Sequence, residues 1–73
     1  MRIRIGQRVR VNAGSGLDSG KLGIVIHKSK VPTDGQGVPR MRGYYRPMEP
    51  TDVAIITPSQ EIIVIPRSRV TPE

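Results

Sequence analysis

Apolar and charged residues alternate along the first eleven positions of the chain. Four odd positions are apolar, namely Ile3, Ile5, Val9 and Val11. Four even positions carry arginine, namely Arg2, Arg4, Arg8 and Arg10. A period of two places the two sets on opposite faces of a β-strand. The pattern predicts a strand that packs one face on the core and exposes a row of guanidinium groups, with a possible bulge or bend at Gly6-Gln7.

Three further segments have the character of strands. Residues 22–28 alternate, with Leu22, Ile24 and Ile26 on one side. Residues 52–57 and 61–65 each contain a continuous apolar run and are joined by Pro58-Ser59-Gln60, where proline favours a tight turn. Continuous runs predict that both faces of this hairpin are at least partly covered. After Pro66 we expect one helical turn and a short closing strand, with Val70 facing inward.

Eight glycines and seven prolines interrupt every stretch long enough for a helix. The apolar residues are mostly isoleucine and valine, whose branched side chains suit a sheet. Seventy-three residues form one domain. The sequence therefore predicts an all-β chain, a single small closed barrel over residues 1–73. It has about five short strands and a long loop between strands two and three.

That long loop spans residues 29–51 and contains four prolines and three glycines. Loops of this length are uncommon in compact domains and are usually functional or disordered. Its centre, residues 40–46, could add a short irregular strand. It also holds both tyrosines of the protein, Tyr44 and Tyr45.

A glycine-spaced pattern covers residues 9–25. Val9-Arg10-Val11, then Gly14, then Gly20-Lys21-Leu22-Gly23-Ile24-Val25 resembles the KOW motif. That motif is a strand, a glycine-bearing loop and a second strand, found in SH3-like barrels of ribosomal proteins and transcription elongation factors. Gly14 and Gly20 lie further apart here than in the motif. The resemblance implies that the barrel is SH3-like, that the loop Asn12–Lys21 and its flanking strands contact RNA or a partner protein, and that its glycines adopt turn conformations closed to other residues.

The charge balance favours an anionic partner. Twelve Lys and Arg residues against six Asp and Glu give a net charge of +6, and arginine outnumbers lysine nine to three. Arginine can grip phosphate with two hydrogen bonds or stack on a base, and tyrosine can stack on bases too. We expect an RNA- or DNA-binding module of low base specificity. Its candidate contact residues are Arg2, Arg4, Arg8, Arg10, Lys21, Lys28, Lys30, Arg40, Arg42, Tyr44, Tyr45 and Arg46.

Two other interpretations remain open at this point. Apolar residues beyond what a small barrel can bury, such as Ile56, Ile62 or Val64 on an outward face, would favour a protein-interaction module. Such a module would dock on an acidic protein or self-associate. In addition, one tyrosine could simply cap the core and find a hydrogen bond.

Nothing in the sequence favours catalysis, a metal site or a cofactor. The single histidine, His27, has no cysteine or second histidine to join it and is expected at the surface or barrel rim. Ser15–Lys21 lacks the first glycine, the final Ser/Thr and the following helix of a phosphate-binding P-loop. No signal peptide or membrane-spanning run is evident, so we expect a cytoplasmic protein without membrane contact.

Overall fold

The computed structural model describes residues 3–41 and 44–73 of the chain. Its five strands are β1 (Arg8–Val11), β2 (Leu22–Ile26), β3 (Asp52–Ile56), β4 (Ile62–Pro66) and β5 (Val70–Pro72). Three short 3-10 turns lie at Gly16–Asp18, Lys28–Lys30 and Arg67–Arg69. Over the described ranges, no helix is both long and apolar enough to cross a membrane.

The strands form one antiparallel sheet in the order β4-β3-β2-β1-β5. The chain thus reaches β5 by returning from one edge of the sheet to the other, through the 3-10 turn at Arg67–Arg69. Two backbone hydrogen bonds fasten this connection, from Arg67 N to Thr51 O and from Asn12 N to Arg69 O. The predicted all-β class, the five strands, and the long connection between the second and third strands are confirmed.

The first strand is shorter than the alternation suggested. Val9 and Val11 are fully buried and Arg8 and Arg10 are exposed, as predicted, but strand pairing begins only at Arg8. Gly6, at φ +88°, bends the chain before it. Ile3 still packs against the core, whereas Ile5 is 63% exposed. The prediction that all four odd positions face inward is therefore wrong for Ile5, because left-handed backbone at Gly6 breaks the period of two.

The inner face of the sheet forms the main core. Side chains from all five strands meet there: Val9, Val11, Val25, Ile55, Ile63, Ile65 and Val70. Branched aliphatic side chains fill it without any aromatic ring. Residues from the edge strands β4 and β5 belong to the same cluster, so the sheet is curled around this core. Val70 is 5% exposed, which confirms its predicted inward position.

The outer face carries a second apolar cluster, made by the long loop. Val31, Ala54 and Val64 are buried in it, and Ile26, Met41, Tyr44, Met48 and Ile62 pack against them. The hairpin β3–β4 is therefore covered on both faces, as its continuous apolar runs predicted. Val64 and Ile62 do not form the exposed hairpin face that would have favoured protein docking, because the loop lies over them.

The turns follow the local sequence signals closely. The β3–β4 turn closes with hydrogen bonds from Gln60 N to Thr57 O and from Thr57 N to Glu61 O. In the long loop, Thr33 and Pro39 form an isolated bridge. The irregular strand considered for residues 40–46 is absent from the described part of that segment, residues 40, 41 and 44–46.

Candidate nucleic-acid interface

The arginines of the first strand stand on the outer face. Arg8 and Arg10 alternate with the buried valines, and Arg10 forms an ion pair with Glu73 at 3.3 Å. Arg4 precedes the bend at Gly6 and lies outside the strand. Arg2, also a predicted contact residue, lies outside the described residues. Of the predicted row of four guanidinium groups, β1 itself therefore presents two.

Lys21 is occupied by acidic neighbours. Its ammonium group lies 2.9 Å from Glu61 Oε1 and 3.1 Å from Asp18 Oδ1. The hydrogen bonds that Lys21 donates to these two carboxylates, first to Glu61 and then to Asp18, raise the pKa of Lys21. A phosphate group would have to compete with both carboxylates for this cation.

The two tyrosines have different environments. The Tyr44 hydroxyl donates to Val64 O and accepts from Val64 N, at 2.9 Å. Burial raises the pKa of Tyr44, and the hydrogen bond with the backbone of Val64 partly opposes this shift. Tyr45 is 89% exposed. The ring of Tyr45 is therefore free to stack on a base, whereas Tyr44 has the hydrogen-bonded role considered as its alternative.

The basic residues of the long loop are held in different ways. Arg46 lies 3.2 Å from Asp52 Oδ2 and 3.6 Å from Glu49 Oε1. Arg40 is exposed, and its backbone N–H donates to Pro32 O at 2.8 Å. Arg42 lies outside the described residues.

The chain segments that carry four cations meet where β2 ends and β3 begins. Lys28 donates from Nζ to Glu49 O at 2.7 Å, and Arg67 donates from its backbone N–H to Thr51 O at 2.9 Å. Arg4 lies between Ile3 and Ile5, which line one cavity together with Lys28. We call this group, Arg4, Lys28, Lys30 and Arg67, the basic end. Arg67 was absent from the sequence-based contact set, because only the return of the chain from β4 to β5 brings it here.

The strand and loop arginines do not form one continuous cluster. Cross-strand pairing places one residue from each of β1 to β4 side by side on the outer face: Arg8, Ile24, Ile56 and Ile62. The long loop covers Ile62. Three strand spacings of about 4.8 Å separate β1 from β4, roughly 14 Å in all. Between them lie Leu22 and Ile24, 37% and 45% exposed, beside the half-buried Ile56. We call Leu22, Ile24 and Ile56 the apolar strip.

The acidic residues of the described chain form ion pairs or hydrogen bonds with other groups of the same chain. Asp18, Glu49, Asp52, Glu61 and Glu73 each pair with a cation. Asp34 instead accepts hydrogen bonds on Oδ1 from the backbone N–H groups of Gln36 and Val38, at 2.7 and 3.0 Å. Within residues 3–41 and 44–73, seven cations have no carboxylate oxygen within 4.0 Å: Arg4, Arg8, Lys28, Lys30, Arg40, Arg67 and Arg69.

His27 caps the 3-10 turn that follows β2. Its Nδ1 accepts a hydrogen bond from Ser29 N at 3.1 Å and contacts Ser29 Oγ at 2.8 Å. The side chain is exposed at the end of the strand, which is the rim position expected for it. Its imidazole therefore has a local structural partner.

The loop Asn12–Lys21 is stabilised by its own hydrogen bonds. Ser19 Oγ accepts from Ser15 N and donates to Gly16 O, both at 2.8 Å. Gly14 and Gly20 have positive φ, as the motif implies, whereas Gly23 lies within β2 for a different reason. A Cβ there would lie 3.0 Å from Ile56 O and 3.2 Å from Ile55 Cδ1. Close strand packing, and not a turn, requires glycine at this position.

Comparison of the chain with protein-family models, with curated proteins and with solved structures finds no match.

Proposed function

We propose that the protein is a nucleic-acid-binding module that recognises the phosphate backbone of RNA or DNA with little base specificity. The observation that carries the proposal is the division of charge. The carboxylates are bound within the fold, while seven described cations, four of them in the basic end, have no carboxylate partner. Surplus positive charge at the surface is the electrostatic footprint of polyanion binding. We also propose that the protein is cytoplasmic. The resemblance of residues 9–25 to the KOW motif supports the proposed function.

The contact surface differs from the one predicted from the sequence. The basic end carries four of the seven described cations that have no carboxylate partner, and Arg8 and Arg40 are two of the others. Tyr45 adds an exposed ring on which a base can stack. Lys21, Arg10 and Arg46 contribute less, because each is partly neutralised by its own carboxylate.

A pair of matched double variants tests the proposal. Arg4→Gln/Arg67→Gln removes two charges from the basic end, and Arg10→Gln/Lys21→Gln removes two charges that are already paired. Fluorescence anisotropy with labelled single- and double-stranded oligonucleotides should show a larger loss of affinity for the first variant. Equal losses would contradict the role of the basic end. Absence of wild-type binding near about 50 mM salt, where such complexes are strong, would overturn the function itself.

The apolar strip favours a second candidate function, self-association or docking on an acidic partner. Leu22, Ile24 and Ile56 adjoin Arg8, so the surface combines apolar area with positive charge. Exposed apolar patches of this kind often mark interaction sites. Light scattering over a concentration series tests self-association. Ile24→Ser should then abolish a dimer that Leu17→Ser, at a fully exposed site outside the strip, leaves intact. A wild-type protein that stays monomeric at every concentration would exclude self-association.

A further inference from the structure

Part of the outer sheet face is not covered by the long loop. Leu22, Ile24 and Ile26 share one side of β2, and of these only Ile26 packs against the cluster that the loop covers. Leu22 and Ile24 are exposed, and Ile24 lies opposite the half-buried Ile56. Because Ile56 pairs in turn with the covered Ile62, the apolar strip continues the covered cluster out into solvent.

A cavity of about 360 Å³ lies over the strip. Its walls include Leu22, Ile24 and Ile56, with Pro58 at one side and Arg8 at the other. Binding pockets start at about 300 Å³ and combine mainly apolar walls with a few polar groups. The cavity therefore has room for apolar side chains of a partner, with one cation beside them.

The charge at this cavity has one sign. Among the described residues that line it, Arg8 is the only charged one, and it has no carboxylate oxygen within 4.0 Å. Glu73, which follows β5 on the other side of β1, pairs with Arg10 at 3.3 Å instead. Interfaces favour complementary charge, so this surface fits a partner that carries a carboxylate next to apolar side chains.

We propose that the apolar strip and Arg8 together dock a segment of another protein that presents neighbouring apolar side chains and a carboxylate. The proposal rests on the second candidate function and names its partner. A second copy of this chain fits less well, because a strip that faces its own copy offers Arg8 no carboxylate among the described residues that line the cavity. Such a dimer would also bring together two chains that each have a net charge of +6.

The docking surface is separate from the basic end. Leu22 and Ile26 begin and end β2, and at about 3.3 Å per residue roughly 13 Å of strand lies between them. The strip lies toward the Leu22 end, whereas Lys28 of the basic end follows Ile26. We therefore expect the partner segment and an oligonucleotide to bind at the same time, although they compete for Arg8.

Selection from a displayed library of random peptides provides the probe. We expect the wild type to enrich peptides that combine Asp or Glu with large apolar residues. The most strongly enriched peptide is synthesised with a fluorescent label, and its affinity is measured by anisotropy. Ile24→Ser should weaken binding about tenfold, because it removes apolar contact area. Leu17→Ser, at a fully exposed site outside the strip, is the matched control and should keep the affinity within about twofold of the wild type.

Arg8→Gln tests the charge contact at an exposed position, where folding is not at stake. It should weaken binding of the same peptide about threefold to tenfold, because the carboxylate loses its cation. Arg40→Gln, at another exposed arginine without a carboxylate partner, should leave the affinity unchanged. Replacing the acidic residue of the peptide by its amide should cause the same loss with the wild type and no further loss with Arg8→Gln.

The outcomes separate this proposal from the functions already proposed. Failure to enrich acidic apolar peptides, or a peptide whose binding is indifferent to Ile24→Ser and Arg8→Gln, overturns the docking surface. If the wild type instead forms a dimer that Ile24→Ser abolishes, the strip is an interface between copies of this chain and the proposal is wrong. A wild type that neither dimerises nor enriches a peptide overturns the second candidate function as well. Oligonucleotide affinity is measured separately and bears only on the phosphate-binding function.

Discussion

Tyr44 stabilises the one strand edge that the long loop reaches. β4 lies at the edge of the sheet, and the backbone N–H and C=O of Val64 face away from β3. The Tyr44 hydroxyl forms hydrogen bonds with both of these groups. Without it, the edge of β4 would be open to pairing with an additional strand. Open edges of this kind favour aggregation unless they are covered. The residue thus closes an edge and fixes the loop on the outer face.

We expect Tyr44→Phe to lower the free energy of unfolding by about 1–2 kcal/mol, because two half-buried backbone groups lose their partner. For a domain of this size, that corresponds to a decrease in Tm of roughly 4–15 °C. Urea denaturation followed by circular dichroism measures it. Tyr45→Phe is the control and should change stability by less than about 0.5 kcal/mol. Equal stability of both variants would show that the hydroxyl is dispensable.

Asp34 makes the fold sensitive to acid at the tip of the loop. Hydrogen bonds from Gln36 N and Val38 N, aided by the charge of Arg40, hold its pKa below the ordinary value of 3.8. A lowered pKa in the folded state means that the ionised form is stabilised by folding. This contribution is present above the unfolded-state pKa and is lost as the pH falls through the folded-state pKa.

The carboxyl chemical shift of Asp34, followed by NMR during an acid titration, should therefore have a midpoint below 3.8. Asp34→Asn should be less stable than the wild type at neutral pH, and the difference should narrow in acid. A midpoint at or above the ordinary value would show that the two N–H groups do not hold the carboxylate in solution.

At the scale of elements, the strands follow from the sequence and the loop placement does not. Alternation located β2, continuous apolar runs and the proline turn located β3 and β4, and the segment after Pro66 gave the inward Val70. The alternation did not show which side of β2 is buried, because Leu22 and Ile24 are exposed whereas Val25 is buried. The bend at Gly6 altered β1, because local glycine conformation overrides a two-residue period. The packing of Met41, Tyr44 and Met48 on Ala54 and Val64 joins residues distant in sequence. No local pattern specifies such contacts, so the apolar runs predicted that both faces of the hairpin are covered but not which residues cover the outer face.

In the candidate site, too, the sequence predicts some features and not others. Sequence reasoning identified the exposed Arg8, Arg40 and Tyr45 as candidates from residue type alone. It could not show that Lys21 and Arg46 are neutralised, because their carboxylate partners Glu61 and Asp52 come from other elements. Ion pairing is a property of the folded arrangement, and it decides which cations remain available.

Gly23 controls how closely β2 approaches β3. A methyl group there would lie 3.0 Å from a backbone oxygen of Ile56, which cannot move without disturbing the β2–β3 ladder. We expect Gly23→Ala to destabilise the protein by about 1–3 kcal/mol through overpacking. Gly35→Ala is the matched control, since nothing lies within 4 Å of a Cβ there. Thermal unfolding of the two variants compares them, and a Gly23→Ala protein as stable as Gly35→Ala would contradict this account of β2 packing.

At the scale of the whole molecule, the cations divide into those paired with a carboxylate and those without such a partner. Ion pairs between exposed groups contribute little to stability. Their main consequence here is to leave a defined set of arginines and lysines facing solvent. Among the described residues, the surplus positive charge therefore rests mainly on the seven cations with no carboxylate oxygen within 4.0 Å, and these form the contact surface of the proposed function.

The dependence of oligonucleotide affinity on salt tests this central claim most directly. Each phosphate neutralised releases counterions, so log K should fall linearly with log salt, with a slope of about −0.7 to −0.9 for each contact. The account predicts a steep slope for the wild type. It also predicts that Arg4→Gln/Arg67→Gln makes the slope shallower by about 1.5, whereas Arg10→Gln/Lys21→Gln leaves it nearly unchanged. A flat slope for the wild type, or the same decrease in both double variants, would contradict it.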